Sequence, residues 1–361
     1  MKLRLTPAKL CTPLVRYWRK SWWHRALLFF LAALVLWVGT MYGIAQWYMA
    51  SSKHKPLVMG ASFIPAYAES LGLDAKQTMD ALITDVGVRH FRLVSYWNQL
   101  EPLPNRYDFS LLDWQFQKAE AAGAKVTLSL GLRQPRWPEC HMPLWAEKLP
   151  SGNEAGTWQA ELLQYIGEVV KRYKNSPALQ SYQLENEYFL RGFGICTDFS
   201  RERLVDEYNL VKELDPAHTL IVARSNNALG LPLGEPTPDE FGISIYKRVW
   251  DANLTKRYLE YPFPAWFYGF VAGSQKIVTG KDMIIHELQA EAWPPKHQSI
   301  QATSLDEQNK SFNADRFAKR IEFGKATGMR EIYLWGAEYW YYRLIKLDDP
   351  SLWDVARRNF R

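Results

Sequence analysis

The chain alternates between short apolar runs and longer segments in which apolar and polar residues repeat at helical spacing. The short runs are rich in β-branched and aromatic residues and are bounded by polar or glycine-containing segments, a pattern that predicts buried strands. We therefore predict eight strands. They cover residues 57–63, 88–97, 124–131, 179–187, 219–225, 240–246, 282–288 and 331–337.

Helical patterns follow most of these strands and end on typical stop signals. Gly87 and Gly123 end the first two patterns, and Pro177 lies just beyond the third. Residues 226–239 are predicted as a loop, and residues 247–281 as an elaborated loop after the sixth strand. The predicted helices cover residues 75–87, 110–123, 158–175, 201–214 and 314–328.

Regular alternation of strand and helix implies a parallel sheet covered by helices, and eight such units predict a (β/α)8 TIM barrel. An open doubly wound sheet is the alternative. Such a sheet normally carries a G-x-G-x-x-G turn after its first strand, whereas the segment here is GASFIPAYAESLG at 60–72. We therefore predict an α/β fold of the barrel type.

The N-terminus precedes this pattern and has a different composition. Residues 26–50 contain no charged residue, and at about 1.5 Å per residue a helix of this length crosses the ~30 Å hydrocarbon core of a bilayer. The length favours a retained signal-anchor over a cleaved signal peptide, whose apolar core has about 7–15 residues. Cleavage after Ala50 is the alternative. Aromatic residues flank the segment as they do at membrane interfaces, namely Trp22, Trp23, Trp47 and Tyr48.

Charge orients this segment in the membrane. The formal net charge is +6, but residues 1–25 carry seven basic and no acidic residues, and the rest of the chain carries 37 basic and 38 acidic residues. The positive-inside rule therefore places the tail in the cytoplasm and the remainder outside it, in the periplasm or at the cell surface. The predicted regions are a basic tail (1–25), a transmembrane signal-anchor (26–50), a short stalk (51–56) and one folded domain (57–361).

The same charge distribution limits the partners. A domain so close to neutral lacks the basic surface typical of nucleic-acid-binding proteins, so we expect no nucleic-acid partner. The expected partner of residues 26–50 is the lipid bilayer.

The three cysteines divide between the two predicted compartments. Cys11 falls on the cytoplasmic side, whereas Cys140 and Cys196 fall in the oxidising compartment, where thiols are often paired. In a barrel these two lie in the neighbouring loops after the third and fourth strands. We predict a Cys140–Cys196 disulfide, with unpaired packed thiols as the alternative. Their spacing matches no zinc signature.

Polar and aromatic side chains gather at the C-terminal ends of the predicted strands, where barrels of this type carry their active sites. Aromatic faces stack on sugar rings, and amides and charged groups bond their hydroxyls. Hydrolysis of a glycosidic bond needs two carboxyl groups that flank it, one to protonate the leaving oxygen and one to attack or to activate water. The sequence therefore indicates a carbohydrate site. Its candidates are Arg92, Trp97, Glu101, Arg133, Trp137, Asn186, Glu187, Tyr246, His286, Glu287, Gln289, Glu291, Trp293, Trp335 and Glu338.

Three sequence segments that contain these candidate residues resemble segments of a known group of enzymes. YQLENEY at 182–188, IIHELQAEAW at 284–293 and the longer HFRLVSYWNQLEPLPNRYDFSLLDW at 90–114 resemble the fourth, seventh and second strand segments of the retaining glycoside hydrolases of clan A. The likeness is nearest to the β-galactosidase-type families. It covers roughly 57–340, but it is strong only in these three segments.

The resemblance implies a role for each matching residue. Glu187 is implied as the acid/base and Glu287 as the nucleophile, 100 positions apart on the fourth and seventh strands. Asn186 is implied as the partner of the sugar's 2-hydroxyl, and Arg92 and Tyr246 as supports of the nucleophile. The remaining predicted substrate-binding residues are Trp97, Gln289, Trp293 and Trp335, the last as a platform under the sugar.

Physical chemistry agrees with this division of roles. A cation beside the nucleophile favours its ionised form, and a carboxylate beside the acid favours its protonated form. The chemistry requires neither a metal nor an organic cofactor. His286 and Glu287 lack the second histidine of an H-E-x-x-H zinc motif, so we expect no metal there.

Several assignments have competitors. Glu185 would share a strand face with Glu187, and we predict that it is a buried partner of a basic residue such as Arg133. Glu291 competes with Glu287, but only Glu287 directly ends the apolar run. Large aromatic residues are often buried, so core positions are the alternative for Trp97, Trp137 and Trp293.

The function that these observations predict is a membrane-anchored, extracytoplasmic, retaining glycoside hydrolase that cleaves β-glycosidic bonds of an oligo- or polysaccharide. One alternative is a catalytically inactive, carbohydrate-binding barrel. The other is a transglycosylase that uses the same residues and differs only in the acceptor.

Overall fold

The computed structural model describes residues 17–361 except 19, 191, 197, 226–233 and 296–297. Most of the predicted basic tail, with Cys11, lies outside the described residues, as does most of the predicted loop at 226–239. Eight parallel strands close into a barrel, which confirms the predicted fold. They are β1 (Val58–Ser62), β2 (His90–Val94), β3 (Lys125–Leu130), β4 (Leu179–Leu184), β5 (Thr219–Ser225), β6 (Glu240–Ile245), β9 (Asp282–Gln289) and β10 (Glu331–Trp335), with a separate antiparallel hairpin of β7 (Arg248–Asp251) and β8 (Arg257–Glu260).

Helices surround the barrel, and five of them lie where the 3.6-residue pattern predicts them. Thr157, Ser200 and Asn313 cap three of them, because their side chains accept hydrogen bonds from backbone N–H groups of the first turn. A π-helical turn over Leu82–Val86 carries the third helix to Gly87, whose φ of 92° suits glycine. The helices are α1 (Trp22–Ser52), α2 (Pro65–Ser70), α3 (Ala75–Ala81), α4 (Trp97–Leu100), α5 (Ser110–Ala121), α6 (Trp158–Tyr173), α7 (Arg201–Leu214), α8 (Ala265–Thr279), α9 (Leu305–Ser311), α10 (Ala314–Lys325), α11 (Ala337–Lys346) and α12 (Ser351–Phe360).

The barrel interior is closed by side chains rather than open as a channel. The Tyr333 hydroxyl and the Thr127 hydroxyl lie 2.8 Å apart, and Thr127 lies 2.8 Å from the Ser181 hydroxyl. Gly60 leaves room for the Tyr333 ring, since a Cβ at this position would lie 2.5 Å from it. The site can therefore open only at the strand ends.

The segment at 247–281 differs from its prediction as a loop. It contains the β7–β8 hairpin and the helix α8. The apolar stretch from Trp266 to Ala272 carries no charged residue, so it resembles a loop rich in aromatic residues more than an amphipathic helix. The helix is apolar on two sides because it contacts the barrel with one face and another helix with the second.

That second helix is α1, which extends further than predicted. It continues through Ser52, two residues beyond the predicted transmembrane segment and into the segment predicted as a stalk (51–56). Its buried residues recur at the spacing of one helix face. They are Met41, Ala45, Tyr48 and Ser52.

One glycine of α8 allows α1 and α8 to approach closely. A Cβ on Gly273 would lie 2.9 Å from the Ile44 side chain and 3.1 Å from the Ile44 carbonyl oxygen, both in α1. The ion pair between Lys55 and Asp282, at 2.6 Å, fixes the chain just after the helix. The part of α1 from Met41 onward is therefore part of the folded domain.

We expect Tyr48→Ala to lower the free energy of unfolding by about 3–5 kcal/mol, the usual cost of removing a buried aromatic side chain. Tyr48 is 1% exposed against the barrel. Urea denaturation of a chain that begins at Met41 measures the change. The control is Trp47→Ala at the adjacent position, which is 46% exposed and should change stability by less than about 1 kcal/mol. Equal losses in both variants would contradict the packing of α1 on the barrel.

Candidate active site

A cleft of about 490 Å³ opens at the C-terminal ends of the barrel strands. Its floor and walls include both predicted carboxylates and six of the other candidate residues. Arg136 and Glu139, from the loop after β3, also line it and were not predicted as site residues. The predicted residues in the lining are Trp137, Asn186, Glu187, Tyr246, Glu287, Glu291, Trp293 and Trp335.

The chain turns sharply where β4 ends. Strand geometry stops at Leu184, and Glu185 and Glu187 both adopt left-handed conformations, with φ of 53° and 45°. Each such conformation in a residue other than glycine costs on the order of 1–3 kcal/mol and persists only where surrounding contacts impose it. Here the Asn186 N–H donates to the Arg133 carbonyl oxygen at 2.6 Å. This turn, rather than strand alternation, decides where each carboxylate points.

Glu185 points away from the cleft. Its carboxylate accepts from the backbone N–H groups of Leu132 at 2.6 Å and Arg133 at 3.1 Å, and it forms an ion pair with Arg203 of α7 at 2.9 Å. Glu185 is therefore a buried partner of a basic residue, as predicted, but that residue is Arg203 and not Arg133. The Arg133 guanidinium instead donates to the carbonyl oxygens of Asn186 and Phe193.

Glu287, on β9, is held by a donor at each oxygen. Arg92 donates to Oε1 at 2.6 Å, and the Tyr246 hydroxyl donates to Oε2 at 2.8 Å. Burial and the charge of Glu287 raise the pKa of Tyr246 well above its usual value, so its hydroxyl remains a donor. A cation and a neutral donor both stabilise the ionised carboxylate, and they fix its orientation.

Arg92 lies below the cleft and joins Glu287 on β9 to Asn186 after β4. Besides Glu287, its guanidinium donates to Asn186 Oδ1 at 2.9 Å and to Gln183 Oε1 at 2.5 Å. It is 1% exposed and does not line the cleft, so its predicted place among the substrate-binding residues is corrected to that of a positioning residue. The amide nitrogen of Asn186 remains on the cleft side, where it donates to Glu139 at 3.2 Å.

Glu187 has a different environment from Glu287. Burial, followed by the nearby charge of Glu287, raises the pKa of Glu187 to about 7. Its Oε1 is buried and has no hydrogen-bond partner among the described residues. A carboxyl that holds its proton near neutral pH and has an unpartnered oxygen at a cleft is suited to donate that proton to a ligand.

Glu139 is a third carboxyl group in the cleft. Burial raises its pKa to about 8, against the opposing effect of Arg133, and the charges of Glu187 and Glu287 act in the same direction as burial. The only sequence signal was its position in the loop after β3, where a carboxylate between Pro138 and Cys140 gave no reason to expect burial.

Glu291 is anchored rather than free. It accepts hydrogen bonds from the Tyr67 hydroxyl at 2.9 Å and the Trp335 indole N–H at 2.9 Å, and it pairs with Arg136 at 3.1 Å. The Arg136 guanidinium also lies over the Tyr67 ring at 3.2 Å and the Trp335 ring at 4.5 Å. These contacts hold Trp335 as a rigid apolar wall of the cleft.

Two predicted substrate-binding residues lie outside the cleft. Trp97 is fully buried, packs on Trp145 and Tyr165, and donates its indole N–H to Glu101. Gln289 is fully buried too, and its amide bonds the backbone at residues 247 and 248, where it anchors the start of the hairpin. Both predictions are wrong for the same reason, because buried side chains support the loops that form the site.

Of the remaining candidates, Trp137 and Trp293 line the cleft, whereas Glu101, His286 and Glu338 are fully buried and do not line it. Trp293 contacts the Tyr246 ring edge-to-face with centroids 5.6 Å apart. Cys140 and Cys196 form a disulfide that joins the loops after β3 and β4, with Cα atoms 5.3 Å apart. Among the described residues, no group of three or more His, Cys, Asp and Glu side chains is placed to hold a metal ion.

Comparisons with known proteins bear on this site. The sequence profile of the Glyco_hydro_42 family, described as beta-galactosidase, matches residues 72–219. Mannan endo-1,4-beta-mannosidase A of Podospora anserina is 27% identical over 158 residues, which are 42% of this chain and 39% of that protein. Beta-galactosidase BgaA of Clostridium cellulovorans is 25% identical over 166 residues, which are 39% of this chain and 24% of that protein.

A solved structure extends the likeness to most of the chain. The polyextremophilic beta-galactosidase from the Antarctic haloarchaeon Halorubrum lacusprofundi superposes with a TM-score of 0.56 at 14% identity, over 84% of this chain and 58% of that one. This likeness shows a common fold. The chain spans between 22% and 39% of the length of the curated relatives it matches. By its family match and its fold, the chain resembles the retaining glycoside hydrolases of clan A, nearest the β-galactosidase-type families.

Proposed function

We propose that the protein is a retaining β-glycosidase in which Glu287 is the nucleophile and Glu187 is the acid/base. The observation that carries this proposal is the contrast between two carboxyl groups in one cleft. Glu287 accepts hydrogen bonds from the Arg92 guanidinium and the Tyr246 hydroxyl, whereas burial raises the pKa of Glu187 to about 7, and one oxygen of Glu187 has no partner among the described residues. Pairs of carboxyl groups with environments this different divide acid and nucleophile roles.

The reaction follows in two steps. In the first, a Glu287 oxygen attacks the anomeric carbon while Glu187 gives its proton to the leaving glycosidic oxygen, which forms a glycosyl-enzyme ester. In the second, Glu187 takes a proton from water, and the water oxygen displaces Glu287. Two inversions at the anomeric carbon retain its configuration.

Other cleft residues would bind the sugar. The Asn186 amide nitrogen lies beside Glu187 and has a second hydrogen available besides the one directed at Glu139, so it can donate to the 2-hydroxyl of the sugar. Trp335, fixed by Glu291 and Arg136, provides the apolar platform. Together they orient the sugar so that its anomeric carbon faces Glu287.

We also propose that α1 anchors the enzyme in a membrane, with the cleft outside the cytoplasm. The helix is long and apolar enough to cross a bilayer. Basic residues precede it, which favours a cytoplasmic N-terminus. The disulfide between Cys140 and Cys196 suits an oxidising compartment.

The test is a panel of aryl β-glycosides assayed with the full chain. We expect release of the aryl group from at least one member, and NMR should show the β-anomer of the sugar as the first product. A first product of inverted configuration would contradict the double displacement. Activity that survives when both Glu187 and Glu287 are replaced by Gln would contradict the site.

We expect kcat/KM to fall as pH rises above about 7, by about tenfold per pH unit. Glu187 must be protonated to act as the acid, and burial raises its pKa to about 7, so the acid is lost as pH rises through that value. A pH–rate profile of kcat/KM measures this limb. As a control, Glu187→Gln assayed with a leaving group that needs no protonation should show no decline above about pH 7. A basic limb that persists in this variant would contradict the assignment.

A further inference from the structure

The geometry points to a cleft whose open side faces the bilayer that holds α1. The substrate class that fits this orientation is a saccharide attached to a lipid. This inference rests on the proposed function, because it takes α1 as a membrane anchor and the cleft as a glycosidase site. It adds the orientation of the cleft and the kind of molecule that presents the sugar.

The contacts of α1 show the direction in which it runs along the barrel. Tyr42 packs edge-to-face on Trp266 at the start of α8, with ring centroids 5.6 Å apart. Further along, the Tyr48 hydroxyl donates to the Met283 carbonyl oxygen at 3.4 Å, and Lys55 pairs with Asp282. Both of these partners lie at the beginning of β9.

This order of contacts means that α1 runs from the catalytic end of the barrel to the opposite end. Strand β9 begins at Asp282 and delivers Glu287 near its C-terminal end, so the strand starts lie opposite the cleft. Helix α8 precedes β9 and starts at the cleft end. The part of α1 before Met41 therefore projects from the barrel on the side where the cleft opens.

The projecting part of α1 is about as long as the hydrocarbon core of a bilayer is thick. No residue from 22 to 40 is buried, and at about 1.5 Å per residue this stretch is about 28 Å long. That length nearly equals the ~30 Å hydrocarbon core of a bilayer. The first buried residue of α1 follows immediately, at Met41. No spacer separates the membrane segment from the barrel, so the cleft end lies against the membrane surface.

The surface of the barrel has exposed apolar side chains concentrated at the cleft end. Eleven large apolar side chains are exposed after the end of α1 among the described residues, and eight of them lie on the loops or helix starts at the cleft end. Ile195 is 64% exposed and Leu254, at the tip of the hairpin, is 88% exposed. Exposed apolar side chains concentrated on one face mark an interaction surface. The eight are Leu103, Leu111, Trp137, Leu144, Phe193, Ile195, Leu254 and Leu259.

The substrate class follows from this orientation. A cleft held at the lipid surface on a rigid helix meets saccharides attached to lipids of the same bilayer at a high effective concentration. Soluble polysaccharide must instead enter between the barrel and the membrane. The rim side chains would rest in the interfacial region, where apolar and aromatic residues are favoured.

Photo-crosslinking of the full chain in phosphatidylcholine vesicles tests the orientation. Benzoylphenylalanine replaces Ile195 at the cleft end or Ile277 at the opposite end, two isoleucines of similar exposure at 64% and 58%. We expect a lipid adduct from position 195 and none from position 277. An adduct from position 277 alone, from both positions equally or from neither would overturn the orientation.

A matched assay tests the substrate class. The sugar that the aryl glycoside panel identifies is supplied as an octadecyl β-glycoside in the vesicles that hold the enzyme. We expect Ile195→Asp to slow its cleavage by about tenfold, because a charge replaces an apolar contact with lipid. Ile277→Asp should have no effect. Equal rates for wild type and Ile195→Asp would overturn lipid presentation.

The soluble aryl glycoside separates this inference from the proposed function. Both aspartate variants should cleave it at the wild-type rate, since neither position lines the cleft. If the wild type fails to cleave any aryl glycoside, the proposed function is wrong, and the crosslinks still report the orientation. If it cleaves them while crosslinking favours position 277, only the present inference fails.

Discussion

Glu287→Gln should lower kcat for an aryl β-glycoside by about 10⁴- to 10⁶-fold, the range seen when a nucleophile is removed. The amide is nearly isosteric, so the hydrogen bond from Tyr246 can persist, but a neutral oxygen cannot form the glycosyl ester. Steady-state kinetics measures the loss. The variant should keep its fold, because Arg92 retains Asn186 and Gln183 as acceptors.

Azide separates the two carboxyl roles. With Glu287→Gln, azide should attack the anomeric carbon directly and give an α-glycosyl azide. With Glu187→Gln, which should lose about 10²–10⁴-fold, it should attack the glycosyl-enzyme and give a β-glycosyl azide. Glu291→Gln is the matched control on the same strand end. Its carboxylate is already bonded by three donors, so we expect a rise in KM from a looser Trp335 and little change in kcat. If Glu291→Gln were the inactivating change and Glu287→Gln were not, the assignment would be wrong.

The barrel could be predicted from the sequence because its strands are buried on both faces. Parallel barrel strands then form short continuous apolar runs, which differ clearly from the amphipathic helices between them. Helix α8 was missed because its apolar character reflects two partners, the barrel and α1. Sequence periodicity detects one buried face, and a helix buried on two sides loses that signal.

Candidate site residues were predictable where a strand end presents them directly. Glu287, Tyr246 and Trp335 belong to this group, since each lies within two residues of a strand terminus. Arg136 and Glu139 were not, because their positions depend on a loop whose path is set by long-range contacts. Both adopt positive φ angles, of 81° and 75°, which no residue-type preference at those positions indicates.

Glu185 shows the same limit within a single motif. Alternation along a strand would place it on the same face as Glu187, but β4 ends at Leu184, and the left-handed turn directs the two carboxylates to different sides. The partner of Glu185 comes from α7, across the barrel wall, and local sequence carries no information about that pairing. This network gives the second large effect that we expect.

Arg203→Met should lower the free energy of unfolding by about 3–5 kcal/mol, because it leaves two buried carboxylates without their cation. Arg203 pairs with Glu185 at 2.9 Å and also contacts Glu207, and both carboxylates are fully buried. Burial already raises the pKa of Glu207 well above its usual value. Urea denaturation measures the loss, and Arg316→Met, which breaks a more exposed pair with Glu260, should cost about 1 kcal/mol or less.

The pH dependence of that loss identifies its electrostatic origin. A carboxyl whose pKa is raised in the folded state favours folding below its unfolded pKa and disfavours it progressively as pH rises toward the folded value. The deficit of Arg203→Met should therefore shrink as pH falls from about 8 to about 5, since Glu207, whose pKa burial already raises, takes up a proton. A deficit that stays constant over this range would mean that lost packing against Tyr188 and Trp158, rather than buried charge, accounts for it. Because Glu185 also holds the turn that aims Glu187, kcat should fall with stability in this variant and remain unchanged in Arg316→Met.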